Sequence, residues 1–313
     1  MQTVLSEDQE QFKHVVQRFF DAHSTTTAVR KLAETETGFD PLVWAQLSET
    51  LGLPGTHLSE QYGGHGFGPV ELGIILEEMG RTLYCGPFFS SAVMAGYALE
   101  LFGDDAAKIE RLPQIADGSI RATLILDDLN HPSRVGGLIK ATPAGALTGS
   151  APIVLDGCSA DVFIIVAQED SGLGLFALAS KAQGVEVAAQ DSIDMTRKVA
   201  RVTLNQAAGT RVGSVSPRDL NRFWDLTSVA LAHEMIGGAA RLLDETVEYT
   251  KGRYQFGRPI GSFQALKHRC ADLLMSLEFA KAATQHAGFC LAANAQETIY
   301  PSMAKAMAAD CFM

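Results

Sequence analysis

The sequence predicts an α+β multidomain chain. An N-terminal helical domain is expected over residues 1–120, a small central β-barrel or sandwich domain over 121–213, and a bundle of long helices, incomplete at its end, over 214–313. Three observations predict this order. Apolar residues recur at helical spacing through the first 120 positions. Composition turns to short β-branched runs near residue 121, and Ser216-Pro217 then opens a helical pattern that reaches Gly252.

Each element has a local cause. Ser6 with Gln9 is a capping-box signal, and Phe12, Val15, Val16, Phe19 and Phe20 follow on one helical face. Asp40-Pro41 pairs a cap with a first-turn proline, and that helix stops at Gly52. The glycine-rich segment from Ser59 to Gly68 breaks the chain before Pro69, which opens a helix with Leu72, Ile75, Leu76 and Met79 on its inner face. Helices over Pro87–Phe102 and Ala106–Ala116 complete the first domain. Strands are expected at Ala122–Leu126, Ala146–Leu155, Asp161–Val166, Leu173–Ala179 and Lys198–Leu204. The helix from Ser216 to Gly252 spans about 50 Å at 1.5 Å per residue. A second long helix runs from Ser262 to Ala295 and a third starts near Pro301. The chain stops at Met313 inside that third pattern, which leads us to expect that the natural protein continues further.

Composition narrows the function classes. Hydrophobic residues make up 47% and charged residues 19% of the 313, a globular balance. A net charge of −11 argues against a nucleic-acid footprint, which needs clustered Lys and Arg. No apolar run approaches the roughly 18–20 residues of a membrane span, and no basic region precedes an apolar one at the N-terminus. The five cysteines, Cys85, Cys158, Cys270, Cys290 and Cys311, lie far apart without metal-ligand spacing. They read as reduced thiols, so a cytoplasmic protein without a metal is expected.

The segment Arg253-Tyr254-Gln255-Phe256-Gly257-Arg258-Pro259-Ile260, followed by Phe263-Gln264, His268 and Ala271-Asp272, lies between two long helices. Arg253 offers a charged planar fork suited to a diphosphate, Gly257 lets backbone come close to a ligand, and Gln264 stands near a helix N-terminus. The spacing alone also admits a capped helix hairpin with one surface arginine. The glycines at 63, 64, 66 and 68 serve a tight turn better than a phosphate cradle.

These residues, with Leu58-Ser59-Glu60 before the glycines and the α–β–α order, resemble the flavin-dependent acyl-CoA dehydrogenases over essentially the whole chain. The resemblance implies FAD as cofactor, α,β-desaturation of an acyl-CoA thioester, and a tetramer. It implies that Arg253, Phe256 and Gln264 reach FAD held mainly by a neighbouring subunit. The family's reaction needs a carboxylate base with a pKa raised by a dry pocket. One of the two family positions for that base falls on Thr227, and the other lies beyond residue 313. A threonine is no base near neutral pH, so the catalytic residue is unassigned, and the neighbouring position, often Arg, is Ser228. Asp225 matches a frequent family residue and reads as a polar helix-face residue. Glu234, Asp244, Glu245 and Glu248 read as solvated or paired.

The β-domain departs from the family as well. Leu126–Arg134 replaces a flavin-contacting Thr-Glu-Pro stretch, with His131 and Arg134 reading as solvated loop residues. Ile153-Val154-Leu155-Asp156-Gly157 replaces the usual Trp-Ile-Thr-Asn. The half-site lent to a neighbour is thus kept and the half a subunit uses itself is degraded. That pattern is similar to the partner subunit of heteromeric acyl-CoA dehydrogenases of bacterial steroid side-chain degradation. Two alternatives remain open: a conventional homotetramer whose base lies past residue 313, and a non-catalytic acyl-CoA-binding protein.

Overall fold

The computed structural model describes residues 4–126, 135, 137–294 and 299–313, which divide into two compact units. The first unit gathers residues up to 26, 69–84 and 228–313. It contains α1 (Glu7–His23), α4 (Pro69–Thr82), most of α7 (Pro217–Gly252), α8 (Gln264–Ala292) and α9 (Tyr300–Phe312). The capping box that starts α1 is formed, with Ser6 and Gln9 each accepting from the other's backbone N–H. Ala232, Ile236, Ala239, Leu277, Ala280 and Ala308 form the core where α7, α8 and α9 meet. Four of the six are alanine, and the helices cross closely. A Cβ on Gly80 would stand 1.9 Å from the Glu234 carbonyl oxygen, and one on Gly237 would stand 1.8 Å from that of Glu77. Only glycine lets α4 and α7 approach this closely.

The second unit gathers residues 27–68 and 85–227. Strands β1 (Ala122–Ile125), β2 (Ile139–Ala141), β3 (Ala146–Leu155), β4 (Val162–Glu169), β5 (Gly172–Ala179), β6 (Val185–Gln190), β7 (Val199–Ala208) and β8 (Thr210–Ser214) form one mixed sheet. Its order is β6-β7-β3-β2-β4-β5-β8, with β1 added in parallel to β4. Among the described residues no pairing joins β6 to β8, so the sheet does not close into a barrel. Phe163, Ile165, Phe176, Val202 and Leu204 fill its core from alternating positions.

The helices of this unit are α2 (Thr26–Ala33), α3 (Pro41–Ala45), α5 (Gly96–Phe102), α6 (Asp105–Ala116) and the first turns of α7. Two of the predicted helices change pitch. The one capped by Asp40 becomes a π-helix over Gln46–Thr50, and the one after Pro87 is a π-helix over Phe89–Ala95 before it becomes α5. Trp44 Nε1 donates to the Gly118 carbonyl at 2.9 Å and Lys198 Nζ to that of Ala33 at 2.7 Å, two long-range ties absent from the local pattern.

Candidate functional site

The segment singled out in the sequence forms a two-stranded hairpin between α7 and α8. Strand β9 (Tyr254–Gln255) pairs with β10 (Arg258–Pro259), and the Ile260 N–H donates to the Arg253 carbonyl at 2.8 Å to close it. Phe256 and Gly257 make the turn with φ of 53° and 77°, the left-handed pair that a two-residue hairpin needs. Glycine adopts it freely, but the left-handed region costs a residue with a side chain about 1–2 kcal/mol. That cost is spent on a ring left 92% exposed. Phe256 thus combines a strained backbone with an exposed aromatic ring.

The hairpin is organised by rings and cations. Phe256 meets Phe263 edge to face at 6.2 Å, and the Arg258 guanidinium lies 4.1 Å from the Phe263 ring centre. Lys251, Arg253, Arg258, Lys267 and Arg269 are all exposed, and among the described residues only Lys251 has an ion-pair partner, Glu248. In a chain of net charge −11 this is a concentrated positive face. No side chain caps α8, whose N-terminus begins beside it with Gln264 exposed. Exposed guanidinium groups and open helix N–H groups are the donors a diphosphate needs. Arg253, Phe256 and Gln264 are therefore brought together on one exposed feature.

The other positions read from the sequence carry no such chemistry. The Thr227 hydroxyl is buried and donates to the Phe223 carbonyl at 2.8 Å, so it is spent on its own helix. Asp225 is half-buried, and burial raises its carboxyl pKa while Arg222 opposes the rise. Glu245 pairs with Arg241, Glu248 pairs with Lys251, and Asp244 is exposed. In the glycine-rich segment the N–H groups of Gly64, His65, Gly66 and Phe67 all donate to carbonyls of residues 55–59, leaving none for a phosphate. At the end of β3, Leu155 presents no hydroxyl, and Asp156 is a buried residue with φ of 51° that accepts from Ser90 Oγ at 2.6 Å. His131 and Arg134 lie outside the described residues. Among the described residues no three His, Cys, Asp or Glu side chains are grouped to hold a metal, and no helix is long and apolar enough to cross a membrane.

Two polar clusters escaped the sequence reading because they are made by residues far apart in the chain. In the first unit, Glu77 lies 3.1 Å from Lys13 Nζ, 3.6 Å from Lys281 Nζ and 3.9 Å from His233 Nδ1. Burial would raise the Glu77 pKa, but the neighbouring His233 and the two ammonium groups outweigh it and hold the carboxyl far below the usual carboxylate range. In the second unit, His57 and Tyr97 are buried ring against ring at 4.6 Å.

With this geometry in place, the class follows. Residues 6–119 match the acyl-CoA dehydrogenase N-terminal domain and residues 222–313 match the acyl-CoA dehydrogenase C-terminal domain. The chain belongs to the acyl-CoA dehydrogenase family, whose cofactor is FAD. Among particular relatives, it is 32% identical over 280 residues to the acyl-CoA dehydrogenase IpdE2 of Mycolicibacterium smegmatis, covering 89% of this chain and 76% of that one. It is also 32% identical over 267 residues to FadE27 of Mycobacterium tuberculosis, covering 82% and 69%. Of solved structures, the ChsE4-ChsE5 complex of Mycobacterium tuberculosis superposes with a TM-score of 0.88 at 28% identity, over 99% of this chain and 85% of that one. A steroid acyl-CoA dehydrogenase, Tcur3481-Tcur3483, superposes with a TM-score of 0.86 at 27% identity, over 98% and 84%.

Proposed function

We propose that this chain is one half of a heteromeric FAD-dependent acyl-CoA dehydrogenase that desaturates a steroid-derived acyl-CoA. A partner chain of the same family supplies the catalytic carboxylate and most of the flavin bed. The observation that carries this reading is an asymmetry within one chain. The hairpin that a family member extends to a neighbour is complete, strained and positively charged. The positions a member uses for its own chemistry are a back-bonded Thr227, an aliphatic Leu155 and a buried Asp156.

The chain's own residues then have distinct tasks. Arg253, beside the uncapped start of α8, would hold the anionic diphosphate of a partner's FAD, with Phe256 against it and Gln264 hydrogen-bonding to it. FAD, when bound, supplies the acceptor for the β-hydride. The Thr227 hydroxyl cannot accept a proton near neutral pH, so in this reading the α-proton passes to a carboxylate on the partner. The oligomers named among the similar structures, both steroid-related or two-component, support the choice of a partner from the same family.

The test is flavin content. Purified alone, the chain is expected to be colourless. Co-purified with a family member that carries the missing glutamate, it should hold one FAD for each pair of chains, and desaturate acyl-CoA only as the pair. One FAD per chain in the single-gene product, with desaturase activity, would overturn the proposal and make a homotetramer the leading account.

A further inference from the structure

Helix α8 carries apolar side chains on two opposite faces, and only one of them meets the core. The inward face is set by Leu277, Ala280, Thr284, Ala287 and Leu291, all buried and spaced by three and four residues. The outward face runs through Gln264, His268, Ala271, Met275, Phe279 and Ala282, again at steps of three and four, and all six are exposed. Met275 and Phe279 are 56% and 61% exposed and stand one turn apart. A helix that only covers its own core has a polar outer face. Phenylalanine and methionine on that face are instead the residue types enriched at the buried centres of protein interfaces.

The exposure extends to both helix ends that bear the hairpin. No residue is buried from Ala240 to Gly252 of α7 or from Gln264 to Ser276 of α8. These two ends therefore stand clear of the core. Leu242 and Tyr249 on α7 and Leu274 on α8 are about half or more exposed and add apolar surface there. Lone apolar residues on a surface are ordinary, but a run of them along one helical line is the mark of a surface that is covered.

The residue that heads the stripe indicates what covers it. Gln264 begins the outward line and, with Arg253 and Phe256, belongs to the group that the proposed function sets against FAD held by a partner. Because α8 is continuous from Gln264 to Ala292, Met275 and Phe279 lie within roughly 25 Å of Gln264 on the same line, at 1.5 Å per residue. A family member of this size has a radius of gyration of about 20 Å, so a subunit seated at Gln264 is large enough to cover both side chains. We infer that the outward stripe of α8, centred on Met275 and Phe279, is the surface on which the FAD-bearing partner chain docks. The identity of the partner rests on the function proposed above; the second apolar face does not.

The test combines Met275→Glu with Phe279→Glu in one variant, studied alone and co-purified with an FAD-binding family member that carries the missing glutamate. Association is read by size-exclusion chromatography with light scattering, and flavin separately by absorbance. Both side chains are exposed, so the lone variant should melt within about 2 °C of wild type. It should bind the partner at least about a hundredfold more weakly, since two charges enter an apolar contact. Undiminished association would overturn the docking surface and leave the proposed function standing. A lone variant that melts several degrees lower would also overturn it, because the stripe would then be covered within its own chain. A wild-type chain that self-associates, and loses that association in the variant while keeping the partner, would give the stripe to a second copy and overturn the assignment. A pair that assembles through the stripe but holds no FAD would remove the flavin reading and leave the docking surface standing.

Discussion

Replacing Phe256 by Asn separates the cost of the hairpin from its use. Phe256 stands at a φ of 53° before Gly257, where Asn-Gly is the natural two-residue turn. Relief of the left-handed conformation is worth about 1 kcal/mol, since Asn tolerates it far better than Phe. The ring is 92% exposed, so the remaining 8% of a side chain of roughly 200 Å² is about 16 Å² of buried surface. At about 25 cal/mol per Å² its loss costs about 0.4 kcal/mol. The edge contact with Phe263 at 6.2 Å is an exposed one and contributes no more than about 0.5 kcal/mol. Phe256→Asn should therefore melt at or slightly above the wild-type temperature, by up to about 2 °C. The same substitution should lower FAD retention by the two-chain complex at least tenfold. Thermal denaturation of the lone chain and spectrophotometric flavin content of the dialysed complex read the two effects independently. A melting point several degrees lower would mean that the ring holds the hairpin together. Unchanged flavin retention would mean that the strain serves something other than FAD.

Other consequences follow from the first unit. Gly237→Ala should cost about 3 kcal/mol by chemical denaturation, because its Cβ would stand 1.8 Å from the Glu77 carbonyl oxygen; Gly252→Ala, with open space around it, should be neutral or slightly stabilising. Glu77→Gln should destabilise the chain by about 3 kcal/mol at pH 7, since two ammonium groups lose their buried partner. Because the folded Glu77 pKa is depressed, its contribution is present above the ordinary glutamate pKa and is lost as pH falls from about 4 downward. The acid limb of stability should be shallower in Glu77→Gln than in wild type, and an unchanged limb would remove Glu77 as its source.

Much of the fold was legible because its causes are local. The caps at Ser6 and Asp40 are formed, the helix opened by Ser216-Pro217 ends at Gly252, and Ala146–Leu155 is a strand from end to end. What escaped lacks a local signal. Strand β6 alternates only weakly, β2 has three residues, and α2 is eight residues long with polar and β-branched types in it. The π-helical turns at Gln46–Thr50 and Phe89–Ala95 use residues indistinguishable from those of an α-helix. The hairpin was readable because Arg253, Phe256, Gly257 and Gln264 fall within twelve residues of one another. The Glu77 and His57 clusters were not, since each joins side chains from segments tens of residues apart.

The same contrast bears on why this chain would keep a costly hairpin while losing its own flavin contacts. Strain at Phe256, and charge at Arg253, Arg258, Lys267 and Arg269 without an ion-pair partner among the described residues, are costly features in a chain whose net charge is −11. Under the proposed function something anionic and partly apolar covers them, and a flavin dinucleotide bound to another subunit has both properties. Asp156 points the other way. It is buried and accepts from Ser90 Oγ, so it packs into the interior as a bonded structural residue. A chain under demand to serve both halves would relieve neither. A chain that serves one half can let Thr227, Leu155 and Asp156 drift toward packing while the hairpin is held in place by its partner's cofactor.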